Sequence, residues 1–96
     1  MITVLAKIKL YKEGRKMPFF SGYRPVFNFV DEVRTSGRID LLDRKQFAPG
    51  DVANVQIVFL HREFLGDHFD QGAKFVFGES PIAMGEGEIL KIISDR

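Results

Sequence analysis

Apolar side chains recur at every second position in short runs of this chain, and glycine or proline punctuates the gaps between them. The clearest run is residues 2–10. Ile2, Val4, Ala6, Ile8 and Leu10 fall on one face and Thr3, Lys7 and Lys9 on the other, with Leu5 the exception. A period of two marks a half-buried strand, because successive Cβ atoms point to opposite sides of a sheet. Outward lysines also guard such a strand against edge pairing. Residues 26–30, 38–41, 52–60, 73–77 and 84–93 supply five more runs rich in β-formers, and Val55, Ile57 and Phe59 share one face of the fourth run. No segment carries a helical apolar stripe over twelve or more residues. Six short strands with Gly/Pro turns predict one all-β domain over residues 1–96, a small antiparallel barrel or sandwich.

The turns follow from the punctuation. Thr35-Ser36-Gly37 reads as the turn of a hairpin between the second and third strands, and Ala48-Pro49-Gly50-Asp51 as a second turn. Gly78-Glu79-Ser80-Pro81 ends the fifth strand, and Gly85 and Gly87 break up the start of the sixth. The stretch Pro18-Phe19-Phe20-Ser21-Gly22-Tyr23-Arg24-Pro25 is different in kind. Two prolines fix φ and remove backbone donors, so it is neither helix nor central strand. Gly22 can take a positive φ. A rigid, turned entry into the core is expected, with Phe19 and Phe20 both packed.

Charge is unevenly spread. Residues 1–24 hold six Lys/Arg against Glu13 alone, a balance of +5, whereas residues 25–96 carry −4. The asymmetry permits a basic contact face for phosphate or an acidic protein, and equally a sheet that mixes the charges back together. No apolar run approaches the roughly 18 to 20 residues of a membrane span, and no secretory leader is evident. With no cysteine there is no disulfide, zinc-thiolate site or Cys nucleophile, which fits a cytoplasmic location.

The segment Gly14-Arg15-Lys16-Met17-Pro18-Phe19-Phe20-Ser21-Gly22-Tyr23-Arg24-Pro25 resembles the G-R-H-T-P-F-F-x-G-Y-R-P segment that opens the third domain of elongation factor Tu. Gly37-Arg38-Ile39-Asp40-Leu41 is similar to that family's G-x-I-x-L, Pro49-Gly50-Asp51 to its P-G-D turn, and Leu60-His61 to its I-H. Phe75 to Phe77 lies where the family has R-F-A-I, and Gly85-Glu86-Gly87-Glu88-Ile89 is similar to G-A-G-V-V. The resemblance implies a six-stranded antiparallel closed barrel of Greek-key type, here as a free-standing copy without the GTPase domain. It also implies contacts with the T arm of tRNA, a translation GTPase and an exchange factor. Carried over by position, Arg15 keeps the family's arginine, Lys16 replaces a histidine, and Gly85 and Gly87 keep the glycines of close backbone approach. Gly78 and Ile82 replace two arginines, and Glu86 and Glu88 add negative charge nearby. The face toward the GTPase domain maps to Val26, Val76 and Glu79; Val26 and Val76 read equally as barrel core, the reading the sequence favours.

The chemistry of catalysis is missing. His61 and His68 with Asp67 and Asp70 lack ligand spacing, and Ser21 has no nucleophile elbow. Asp31-Glu32 and Glu86/Glu88 read as solvated positions. No phosphate-binding G-x-x-x-x-G-K-[ST] occurs, so neither GTP nor any cofactor is expected, and no enzyme. The expected function is a non-catalytic, translation-related binding module contacting tRNA or other RNA through Lys12, Arg15 and Lys16, with Gly85 and Gly87 beside them. The alternative is a protein-interaction module that has lost RNA binding.

Overall fold

The computed structural model describes residues 1–30, 33–66, 69–79 and 81–95. The described residues form eight strands: β1 (Ile2–Leu10), β2 (Phe19–Phe20), β3 (Val26–Val30), β4 (Val33–Leu41), β5 (Gln46–Phe47), β6 (Val52–Phe59), β7 (Lys74–Glu79) and β8 (Ile82–Asp95). One 3-10 turn, Arg62–Phe64, follows β6. Six strands close a barrel in the order β1-β6-β4-β3-β7-β8, and every pairing is antiparallel. β1 lies beside β6 while β3, β4 and β6 follow one another across the sheet, which is a Greek key. Among the described residues no helix is long and apolar enough to cross a membrane.

Alternation determines what fills the interior. Ile2, Val4, Ala6, Ile8 and Leu10 of β1 are at most 1% exposed, and Val55, Ile57 and Phe59 of β6 face them. Phenylalanines occupy the rest. Phe27 lies 5.0 Å from Phe59, 5.4 Å from Phe75 and 5.8 Å from Phe77, mostly edge-on or tilted. Such geometries add about 0.5–1.5 kcal/mol per pair beyond area burial. Rings this large need small residues opposite. Phe77 is in register with Gly85 and Phe75 with Gly87, and a Cβ on either glycine would run into the paired ring and into a β1 carbonyl. Gly37 does the same for Phe59 and Phe27, whose ring atoms stand 2.8 and 2.9 Å from where its Cβ would be.

These fits correct two expectations. Thr35-Ser36-Gly37 is not a turn but lies inside β4, with Thr35 and Gly37 pointing inward under the rings. Hairpin pairing of β3 with β4 is observed, whereas Asp31 and Glu32 lie outside the described residues. Likewise Gly85 and Gly87 do not interrupt the last strand, which runs unbroken for 14 residues. Nor is β1 an edge: β6 and β8 pair with it on either side, so Lys7 and Lys9 guard nothing.

Residues 18–25 form a plug on the barrel. β2 pairs with β5, Phe19 stacks on Phe47 at 5.1 Å and on Tyr23 at 4.7 Å, and Gly22 takes φ 96°. The Leu41 amide donates to Ser21 Oγ at 2.8 Å, and the Ile39 amide to the Tyr23 carbonyl at 2.8 Å. Phe19 is buried, but Phe20 is 59% exposed, because neighbours on a strand face opposite ways. Only one of the two packs.

The ring-on-glycine fit predicts that Gly85→Ala destabilises the barrel by about 1–3 kcal/mol through overpacking. Urea unfolding of Gly85→Ala beside Phe77→Leu/Gly85→Ala checks it. The double variant is expected to recover part of the loss, since the shorter side chain makes room.

Candidate functional surface

The basic loop, residues 11–17, is tied to the barrel along its length. The Tyr11 amide donates to the Met84 carbonyl at 2.9 Å, and Gly14 sits so close to the Met84 backbone that a Cβ would lie 2.8 Å from its oxygen. Arg15 makes three contacts at once. Its Nε donates to the Met17 carbonyl at 2.8 Å, its guanidinium stands 4.8 Å over the Tyr23 ring, and a terminal nitrogen lies 3.7 Å from Glu79. It therefore staples the loop to the plug and to β7. Lys12 lays its stem over Gly50, and both Lys12 and Lys16 are exposed.

The sheet also mixes the charges. On the outer face Lys7 is the cross-strand neighbour of Glu88, which in turn neighbours Lys74, and Lys9 is the neighbour of Glu86. The Tyr11 hydroxyl donates to Glu86 Oε1 at 2.9 Å. Opposite charges facing across a ladder are mildly stabilising, on the order of 0.2–1 kcal/mol. Three of the six cations in residues 1–24, Lys7, Lys9 and Arg15, thus stand beside acids from β7 and β8. Gly87 lies between these carboxylates and Gly85 directly before them, and their lack of a side chain is already used by Phe75 and Phe77.

The apolar feature is elsewhere. Where β3, β7 and β8 meet on the outside, Val26, Val76 and Ile82 line a groove of about 70 Å³. That is well below the roughly 300 Å³ at which small-molecule pockets begin, so the groove is a shallow depression of the surface. Val76 is 39% and Ile82 64% exposed, and Val26 is half-buried. Gly78 forms the floor. Here β7 and β8 shift register, and a Cβ on Gly78 would meet the Ile82 carbonyl, so only glycine lets the β8 backbone approach this closely. Asn28 and Arg34 line the same groove from β3 and β4.

The predicted residues therefore divide. Val76 is not core: it points outward between the inward Phe75 and Phe77, and Val26 points outward before the inward Phe27. Val26, Val76 and Glu79 do lie together on the β3–β7 side, with Glu79 in register with Ile82. Arg15 joins this side through Glu79, whereas Lys12 lies across the loop by Gly50. Ile82 escaped notice as a contact residue, although a bare isoleucine directly after Pro81, outside any alternating run, is the sequence signal for it. His61 is exposed beside Glu63 at 3.5 Å, and no cluster of three metal-ligating side chains exists among the described residues. Asp67 and His68 lie outside those residues. No protein-family model matches the chain.

Two tyrosines record how the loop is held. The Tyr11 phenol is raised above its ordinary value of 10.0, first by burial and then by its hydrogen bond to Glu86. Tyr23 is raised from 10.0 by burial and by Glu79, with Arg15 opposing. For a phenol raised on folding, the neutral form is the one the fold favours. That contribution is complete below the unfolded value of about 10 and is lost as pH climbs through the folded value. Stability is therefore expected to decline above pH of about 10, with a smaller decline in Tyr11→Phe. Urea midpoints between pH of about 8 and 11 test this, and an unchanged alkaline decline in Tyr11→Phe contradicts the assignment to Tyr11.

Proposed function

We propose that this protein is a non-catalytic binding module that docks a protein partner on the outer β3–β7–β8 face. The carrying observation is the placement of apolar surface: Val76 and Ile82 are exposed, with the half-buried Val26, around one depression on that face. Isolated exposed apolar residues are ordinary on any protein, but three around one depression are the composition of an interface core. Two features support the resemblance to the third domain of elongation factor Tu, namely the closed six-stranded barrel and the location of Val26, Val76 and Glu79 on one side. Under that resemblance the partner is a translation GTPase, met at the face used for the GTPase domain.

A second reading retains RNA. A depression of about 480 Å³ runs beside Lys9, Tyr11 and Lys12, and Lys16 is exposed further along the loop. Against it stand the commitment of Arg15 to Glu79 and Tyr23 and the acids facing Lys7 and Lys9. Each phosphate contact contributes about one unit to the slope of affinity against salt, so engaging Lys7, Lys9 and Arg15 elsewhere leaves RNA binding weaker and its salt dependence shallower.

Calorimetric titration with the isolated GTPase domain of elongation factor Tu, and separately with tRNA, distinguishes the two. The proposal expects binding to the GTPase domain that falls at least about tenfold in Val76→Asp and Ile82→Asp, a loss of about 1.4 kcal/mol or more. Circular dichroism on both variants should report an intact barrel, since both side chains point outward. Steeply salt-dependent tRNA binding lost in Lys12→Ala/Lys16→Ala, with no affinity for the GTPase domain, would overturn it in favour of RNA.

A further inference from the structure

We infer that the plug forms a second contact surface, apart from the groove, and that it seats on an anionic lipid bilayer. Met17, Phe20 and Leu42 are 69%, 59% and 55% exposed, so each is more than half bare. Pairing and hydrogen bonds bring them together on the outside of the plug. Phe20 stands opposite Gln46 in the β2–β5 ladder, and Lys45 directly precedes Gln46. The Leu41 amide bonds Ser21, the residue after Phe20, which sets Leu42 beside the same turn. Met17 leads into that turn through Pro18. Arg24 leaves it, just after the Tyr23 amide closes back on the Phe20 carbonyl at 3.2 Å. Phe19 stacks against Phe47 and Tyr23, so Phe20 is held pointing outward.

Cations frame these side chains. Lys16, Arg24 and Lys45 are exposed, and none is engaged in a hydrogen bond or ion pair among the described residues. The acids flanking Leu42 are already met: Arg38 lies 3.1 Å from Asp40 and Arg44 lies 2.8 Å from Asp43. Glu13, further back in the loop, still leaves the patch positive. Neither the depression at Val26, Val76 and Ile82 nor the one at Lys9, Tyr11 and Lys12 includes Met17, Phe20 or Leu42. The three are placed to enter a partner rather than to receive one. A protein interface core needs matching shape, whereas the boundary of a bilayer is fluid and takes up an apolar tip without it. Lysine and arginine around such a tip can lay their stems along the acyl region and reach lipid phosphates with their charges. An RNA strand would meet the same cations, but Met17 and Leu42 offer no ring on which a base can stack.

The chain has no tryptophan, so Phe20→Trp places a single fluorescent reporter at the tip. The intact protein with this change is titrated with vesicles of phosphatidylcholine holding about 30% phosphatidylserine, and with phosphatidylcholine alone. A blue-shifted emission is expected with the anionic vesicles only, weakening as salt is added. Val76→Trp, at the groove, is expected to show no shift. In the Phe20→Trp background, Lys16→Gln, Arg24→Gln and Lys45→Gln should each weaken partitioning about fivefold, the contribution of one cation near an anionic surface. Phe20→Ser should weaken co-sedimentation with the anionic vesicles about tenfold, and circular dichroism should report an intact barrel because the side chain points outward. The inference is overturned by an unshifted Phe20→Trp reporter, by an equal shift from both reporters, or by co-sedimentation that Phe20→Ser leaves unchanged. A shift produced by tRNA and not by vesicles overturns it as well. Docking of a protein at the groove stands or falls separately, on Val76 and Ile82.

Discussion

The seating of Phe75 and Phe77 over Gly87 and Gly85 is the contact on which the rest of the molecule depends. Two large rings on β7 point inward at two positions of β8 that offer no side chain in return, so β7 and β8 approach closely enough to complete the ladder. β8 is then free to pair with β1 on its other edge, and the barrel closes. The interior is correspondingly dense: Phe27 stands against Phe59, Phe75 and Phe77, and Gly37 repeats the same device under Phe59 and Phe27. Closure also removes every open edge from the six-stranded sheet, which suits a chain with as many β-branched and aromatic residues as this one.

The same seam decides what the outer surface carries. Once Gly85 and Gly87 face inward, Glu86 and Glu88 must face outward, because strand residues alternate. They arrive opposite Lys9 and Lys7 of β1, and Tyr11 closes on Glu86. Lys7 and Lys9 are thereby matched by acids far away in sequence, and Arg15 lies beside Glu79 in the same manner. Further along the same two strands, the register shift at Gly78 leaves the groove of Val26, Val76 and Ile82 uncovered. A chain whose composition suggests a cationic contact face thus also leaves Val76 and Ile82 bare on its outer surface, the observation behind the proposed protein docking.

Much of this was legible in the sequence, for identifiable reasons. The alternation of Ile2 to Leu10 and of Phe75 to Phe77 is a local property, and local periodicity survives folding unchanged. The fold class followed from it. What was not legible depends on partners distant in sequence. Thr35 and Gly37 carry a turn-like signature, yet they sit within a strand because the rings of Phe27 and Phe59 require small neighbours there. Gly85 and Gly87 look like breaks or contact points until Phe77 and Phe75 are placed above them. Phe20 is exposed and Val76 outward because of the face on which each falls, which depends on register rather than residue type. Of the candidate residues, Val26, Val76 and Glu79 stay together as one side of the barrel, whereas Lys12, Arg15 and Lys16 take up different roles.

The central claim is that contact is made at the groove rather than at the basic loop. Amide hydrogen exchange of the protein, alone and with the GTPase domain of elongation factor Tu, reads this directly. The account predicts added protection at residues 26–28, 76–78 and 82–83, and none at residues 12–17. Protection concentrated at residues 12–17 and 85–88, or no protection anywhere, would contradict it.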